Sequence, residues 1–169
     1  MLPESDVIRS GVLRVAELMV IAAKTAPKAR GIDNIVSVVI SDPAELEDLA
    51  RKMEELASKY GSFFERDAKC VRESDAVVII GAKVVDIGVK APKDLGIDMN
   101  TYMAIVNLGI AIGSAVKVAS MLNVDNRIMY SIGVAAKELG LIDADYVLGV
   151  PLSVKGKNIY FDRFWWVKK

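Results

Sequence analysis

Tyr146-Val147-Leu148-Gly149-Val150-Pro151-Leu152-Ser153-Val154-Lys155-Gly156-Lys157-Asn158-Ile159-Tyr160-Phe161-Asp162-Arg163 is the stretch on which the fold turns. It runs from an apolar strand through Gly-Val-Pro into a turn with two lysines around a glycine, then into an aromatic tail. A strand that stops at Gly149-Val150-Pro151 and is followed by Lys155 and Lys157 brings cations and free backbone N–H groups to one end of a sheet, a candidate phosphate seat. The same residues also read as an ordinary hairpin with solvated lysines. The rest of the chain bears on the choice.

Upstream, residues 131–139 read as a short helix closed by Gly140, and residues 101–122 as a longer one, apolar nearly all round and rich in Gly, Ala and Ser. Such a helix has to be covered on most sides. Its Gly109, Gly113 and Ser114 let a second backbone approach, so a subunit interface and a homodimer are expected. Its length and the Gly-x-x-x-Gly spacing also fit a membrane span, but Asn107 and Lys117 interrupt it, and it reads as the buried central helix of a soluble domain. Residues 83–107 are expected to form a loop or small excursion, with glycines, prolines and charges breaking the pattern up to Asp98. Residues 76–81 and 35–40 are β-branched runs that read as buried strands. Between these two runs, Asp42-Pro43-Ala44-Glu45 opens a helix with an Asp cap, Pro at the first position and an apolar stripe through Leu46, Leu49, Met53, Leu56 and Tyr60. Residues 6–24 carry Ile8, Val12, Val15, Met19 and Ala22 at helical spacing, and a polar loop from Lys28 to Asn34 follows. The length fits one domain over residues 1–169.

Composition removes whole classes of function. The chain has no His, so His-dependent triads and imidazole metal sites are excluded. A single cysteine, Cys70, rules out intrachain disulfides and four-thiolate clusters within one subunit, and reads as a reduced cytosolic thiol beside a strand. Lys plus Arg and Asp plus Glu are both 22, so no net field attracts nucleic acid. Residues 1–6 are acidic and lack a basic start before an apolar block, so no cleavable signal and a cytoplasmic location are expected. The complete lack of Gln beside abundant Lys, Arg and Glu points to a hot-growing source.

The segments Ala26-Pro27-Lys28-Ala29-Arg30-Gly31-Ile32-Asp33-Asn34, Arg66-Asp67-Ala68, Leu108-Gly109-Ile110-Ala111-Ile112-Gly113-Ser114-Ala115, Asp125-Asn126-Arg127-Ile128-Met129-Tyr130-Ser131 and Gly149-Val150-Pro151-Leu152-Ser153 through Arg163 resemble an uncharacterised prokaryotic family of ferredoxin domain-containing proteins over nearly the whole chain. Typical members carry a cysteine cluster between the second strand and the central helix. This chain has no cysteine there, so no iron-sulfur cluster is expected. More distantly, the order of elements resembles that of flavin-dependent nitroreductases. That resemblance implies an α+β fold, a small central sheet flanked by helices, and an obligate dimer with FMN at the subunit interface and a C-terminal arm reaching the partner. Asn34 matches a polar loop residue near the flavin ring, and Lys155 and Lys157 match basic positions near the phosphate. The N-terminal Arg-Arg-Ser phosphate motif has no counterpart, since Arg9-Ser10 lies inside the first helix.

The candidate cofactor residues are therefore Lys28, Arg30, Asn34, Asn126, Arg127, Lys155 and Lys157, all at element ends, with no catalytic side chain and no metal ligand expected. Two functions fit. One is an FMN-binding redox protein passing electrons from a donor to a small acceptor, where the cofactor performs the chemistry. The other is a non-enzymatic homodimer whose anion site is degenerate or adapted to another ligand. A cluster shared across a dimer would have only two thiolates, too few for a four-thiolate site. The aromatic run Phe161 to Trp166 is expected to pack on the body or on a partner rather than dangle.

Overall fold

In a computed structural model that describes residues 1–161, seven-residue β2 (Ala76–Ala82) is buried along its whole length and forms the spine of the molecule. It is flanked by β1 (Ile35–Ile40) and by β4 (Tyr146–Ser153), and the two-residue β3 (Asp125–Asn126) completes an antiparallel sheet of order β1-β2-β4-β3. The helices divide between its faces. Helices α1 (Glu4–Thr25) and α4 (Met99–Met121) cover one face, against Val78, Ile80, Val150 and Leu152. Helices α2 (Pro43–Tyr60), α3 (Phe63–Arg72) and α5 (Tyr130–Glu138) cover the other, against Val77, Ile79 and Val147. The odd and even residues of the strands feed separate cores, as period-two alternation requires.

Local chemistry accounts for most element ends. The Asp42 carboxylate accepts from the N–H groups of Ala44 (2.8 Å) and Glu45 (3.3 Å), with Pro43 at the first helical position. Asp98 caps α4 through the N–H of Thr101 at 2.8 Å, which holds its carboxyl below the usual range. Gly140, at φ 68°, lets the chain leave α5 while Leu141 N–H bonds back to Ala136 O.

Several expectations need correcting. Helix α3 was not expected; its apolar stripe is interrupted by Asp67, which is buried. Cys70, expected beside a strand, belongs to this helix and is buried in the same core as Val77 and Ile79 of β2. The irregular run after β2 covers residues 83–98, because α4 starts at Met99 behind its Asp98 cap; the excursion does not extend to residue 107. Helix α4 is long and apolar enough to cross a membrane, yet only 39% of its most apolar window is buried within the chain. Its outer face, with Tyr102, Ile105 and Ile110, is exposed, because α1 and the sheet reach only one side of it.

Candidate functional site

At one end of the sheet, where β1 ends, β2 begins and β4 ends, four of the expected site residues gather in one region. Asn126 is on β3, which pairs with the last residues of β4, and Lys155 and Lys157 follow that strand. The chain then folds back: Asn158 Nδ2 donates to Asp125 Oδ1 (2.9 Å), and Arg127 Nη1 donates to the carbonyl of Tyr160 (3.2 Å). Tyr160 is fully buried, its hydroxyl 2.8 Å from Ser74 Oγ, and burial pushes that hydroxyl above its ordinary range. The Arg127 guanidinium also lies 5.0 Å from the centre of the Phe161 ring. Asn123, Asp125, Asn126, Asn158 and Phe161 line a polar cleft of about 380 Å³ here. Lys155 is 3.9 Å from Glu73, and Asn126 Nδ2 donates to Val124 O. The expected packing of the aromatic tail lies outside the described residues beyond Phe161.

A second cleft, about 470 Å³, opens between α4, α5 and the start of β4. Its walls are Ile105, Leu108, Val134, Val147 and Leu148, and Tyr60, Tyr130 and Tyr146 also line it. Phe64 of α3 fixes the aromatic side, stacking on Tyr60 at 5.5 Å and meeting Tyr130 edge-on at 6.3 Å. The volume is in the range of small-molecule sites. None of the three tyrosines was among the expected site residues; each stands at the end of an element, and that position was the available signal.

One segment of chain runs between the two clefts. Asn126 lines the first and Tyr130 the second, and between them Met129 is extended and bridges to Gly149.

Lys28, Arg30 and Asn34 lie toward the opposite end of the sheet from the lysines, where β1 begins, β2 ends and β4 begins, the end at which the second cleft opens. Their polar atoms serve the fold. Lys28 Nζ donates to the carbonyls of Lys24 and Ala26 at the end of α1, and Arg30 Nη1 to Ile87 O at 2.9 Å. Buried Asn34 donates to Lys83 O (2.7 Å) and accepts from Asn107 (3.0 Å), whose own oxygen accepts from Ala29 N–H. The seven expected residues thus form two groups at opposite ends of β2, about 20 Å apart for a seven-residue strand.

A buried polar contact lies behind the second cleft. Asp67 accepts from Arg66 through Oδ1 (2.9 and 2.8 Å) and from Ser131 Oγ through Oδ2 (2.6 Å). One helical turn on, Cys70 is 2% exposed, and burial pushes its thiol up to about 11. This is the environment of an inert thiol, not of a ligand or nucleophile.

An uncharacterized protein of Archaeoglobus fulgidus is 44% identical over 180 aligned residues, covering 96% of this chain and 97% of the relative, and residues 97–163 match the family described as "Uncharacterized protein containing a ferredoxin domain (DUF2148)". The chain belongs to that family. Within the family, the matched residues of this member contain no cysteine, so the thiolates of a ferredoxin cluster are missing from them. The fold is nitroreductase-like. The hypothetical oxidoreductase YcnD of Bacillus subtilis superposes with a TM-score of 0.60 at 12% identity, over 86% of this chain and 58% of its own. A Bacteroides fragilis nitroreductase solved with bound FMN gives 0.59 at 16%, over 92% and 79%. An NADPH:FMN oxidoreductase of Vibrio harveyi, complexed with NAD+, gives 0.58 at 15%, over 86% and 60%. This ferredoxin-domain family member therefore spans only about three fifths of the length of two of these proteins.

Proposed function

We propose that the protein is an FMN-binding redox protein that works as a homodimer in the cytoplasm, passing electrons from a donor to a small acceptor. The observation that carries this reading is the pair of clefts on either side of residues 126–130, one polar, the other mostly apolar and lined by tyrosines, within a nitroreductase-like fold. A ligand with a planar ring at one end and a phosphate at the other matches that layout. Lys155, Lys157 and Arg127 would hold the phosphate, with Asn126 beside them. The tyrosine-lined cleft would take the ring. Bound flavin would supply hydride and electron transfer, which the side chains of this chain do not provide. In the same reading Lys28, Arg30 and Asn34 belong to the ring end of the site rather than the phosphate end: Asn34 bonds Asn107, next to Leu108 of the ring cleft.

The test is direct. Purified protein should show oxidised-flavin absorbance bands or acquire them on adding FMN. The Lys155→Ala, Lys157→Ala double variant should bind FMN on the order of 100-fold more weakly, because charge-assisted bonds to a phosphate contribute roughly 1.5 to 3 kcal/mol each. The affinity should also fall with added salt. Equal binding by both proteins would remove the lysines from the site.

A specific observation favours a second reading, a non-enzymatic homodimer with an adapted anion site. Lys28, Arg30 and Asn34 already bond to the chain itself, and Arg127 is held by Tyr160 O. A colourless protein that ignores added FMN decides for this reading.

A further inference from the structure

Among the described residues, Asp67 is the one charged side chain in the buried set, 4% exposed. A buried carboxylate is costly unless its oxygens are all bonded, and an apolar side chain of similar volume often serves packing as well or better. Both oxygens are bonded here, one by Arg66 and the other by Ser131. The titratable groups around it are that same Arg66 and the Cys70 thiol on its own helix; from α5 it meets the Ser131 hydroxyl. The carboxylate also stands at the N-terminal end of α5, where a negative charge is favoured.

What this contact holds is the segment between the clefts. Phe64 and Asp67 are three residues apart on α3 and share a face. Phe64 meets the ring of Tyr130, and Asp67 bonds the hydroxyl of Ser131, so α3 grips two consecutive residues at the start of α5. Tyr130 lines the ring cleft, and residues 126–129 lead from it to the polar cleft. On its other side this segment is fixed by the pairing of Met129 with Gly149.

We infer that Asp67 is a positioning residue: locked by Arg66, its carboxylate fixes Ser131 and with it Tyr130 and the segment between the clefts, so that ligand affinity depends on a side chain that touches no ligand. The inference rests on the cofactor reading above for the ligand, and on geometry alone for the segment.

The full-length protein, Asp67→Asn, Ser131→Ala and the double variant are compared by two measurements. These are amide hydrogen exchange without ligand and titration with FMN followed by quenching of flavin fluorescence. Each single variant should speed exchange at least tenfold in residues 127–133 while α1 and β2 keep wild-type protection, and should weaken FMN binding at least tenfold with unchanged far-UV circular dichroism. The double variant should be no weaker than the worse single one, because both act through one contact. Unchanged exchange in residues 127–133 of Ser131→Ala overturns the inference, and so does wild-type FMN affinity in that variant. If the wild type itself binds no FMN, the cofactor reading fails, and the exchange result alone decides whether Asp67 positions the segment. Should Asp67→Asn not fold, Ser131→Ala removes the same contact by a smaller change and carries the test.

Discussion

Gly133 and Gly149 show how much a single missing side chain decides. A Cβ on Gly133 would lie 2.0 Å from the carbonyl oxygen of Val147, and one on Gly149 would lie 2.0 Å from Ile132 Cγ2. The glycine of Gly149-Val150-Pro151, with Gly133 opposite, is thus where α5 rests directly on β4. Gly133→Ala has a backbone atom as its obstacle and no rotamer to move. It should cost at least about 1 to 3 kcal/mol in urea unfolding, and so should Gly149→Ala, whose obstacle includes Ile132 Cβ at 2.5 Å, fixed by the α5 backbone. Cys70 gives a residue-scale prediction in pH. Its thiol is raised in the folded state from an ordinary value of 9.0 to about 11, so the unfolded chain loses this proton first. The associated stability is complete below about pH 9 and should be lost as pH rises toward about 11, on the order of 2 kcal/mol. Tyr160, also raised, adds its own loss only above its ordinary value of 10.0, so Cys70→Ala should flatten the stability profile between about pH 9 and 10 and leave the fall above it. Denaturant midpoints across that range measure both.

At the scale of elements, α2 owes its start to one side chain. Replacing Asp42 by Ala should lower stability by about 1 kcal/mol, since two N–H groups of the first turn lose their acceptor, while the separately capped α4 is untouched. Caps and apolar periodicity of this kind made α1, β1, α2, β2, α4, α5 and β4 legible in the sequence to within a few residues. Helix α3 was not legible, because Asp67 sits on its buried face and breaks the stripe formed by Phe64, Ala68 and Val71; only the tertiary contact with Ser131 makes a carboxylate acceptable there. Two-residue β3 carries no periodicity to read. The site was legible in part for the same reason. Lys155, Lys157 and Arg127 stand out as cations at element ends, but nothing in their spacing reveals that Arg127 would take Tyr160 O as a partner. That Lys28 and Asn34 would fall at the other end of β2 is likewise a consequence of strand order, which spacing along the chain does not encode.

For the whole molecule, the outer surface of α1 and α4 is what the single chain leaves unfinished. The two helices pack side by side on one sheet face. Their outward residues include Leu18 (45% exposed), Ile21 (57%), Ile105 (44%) and Ile110 (41%), an apolar surface of the kind that marks an interaction site. Gly109 and Gly113 lie on the same outward side of α4, and a Cβ at either would meet nothing of its own chain within 4 Å. This makes Gly113→Leu a clean probe of the proposed homodimer. Within one subunit the new side chain projects into open space, and leucine favours a helix over glycine by roughly 0.8 kcal/mol. An isolated subunit should therefore be unharmed or slightly more stable. If a second copy packs its backbone against this face, the same leucine overpacks the interface at a cost on the order of 1 to 3 kcal/mol, encountered from both subunits. Light scattering should then give a dimer mass for the wild type at micromolar concentration and a monomer mass for the variant, with helical content unchanged. A wild type that is already monomeric, or a variant that stays fully dimeric, would place the partner of this surface elsewhere.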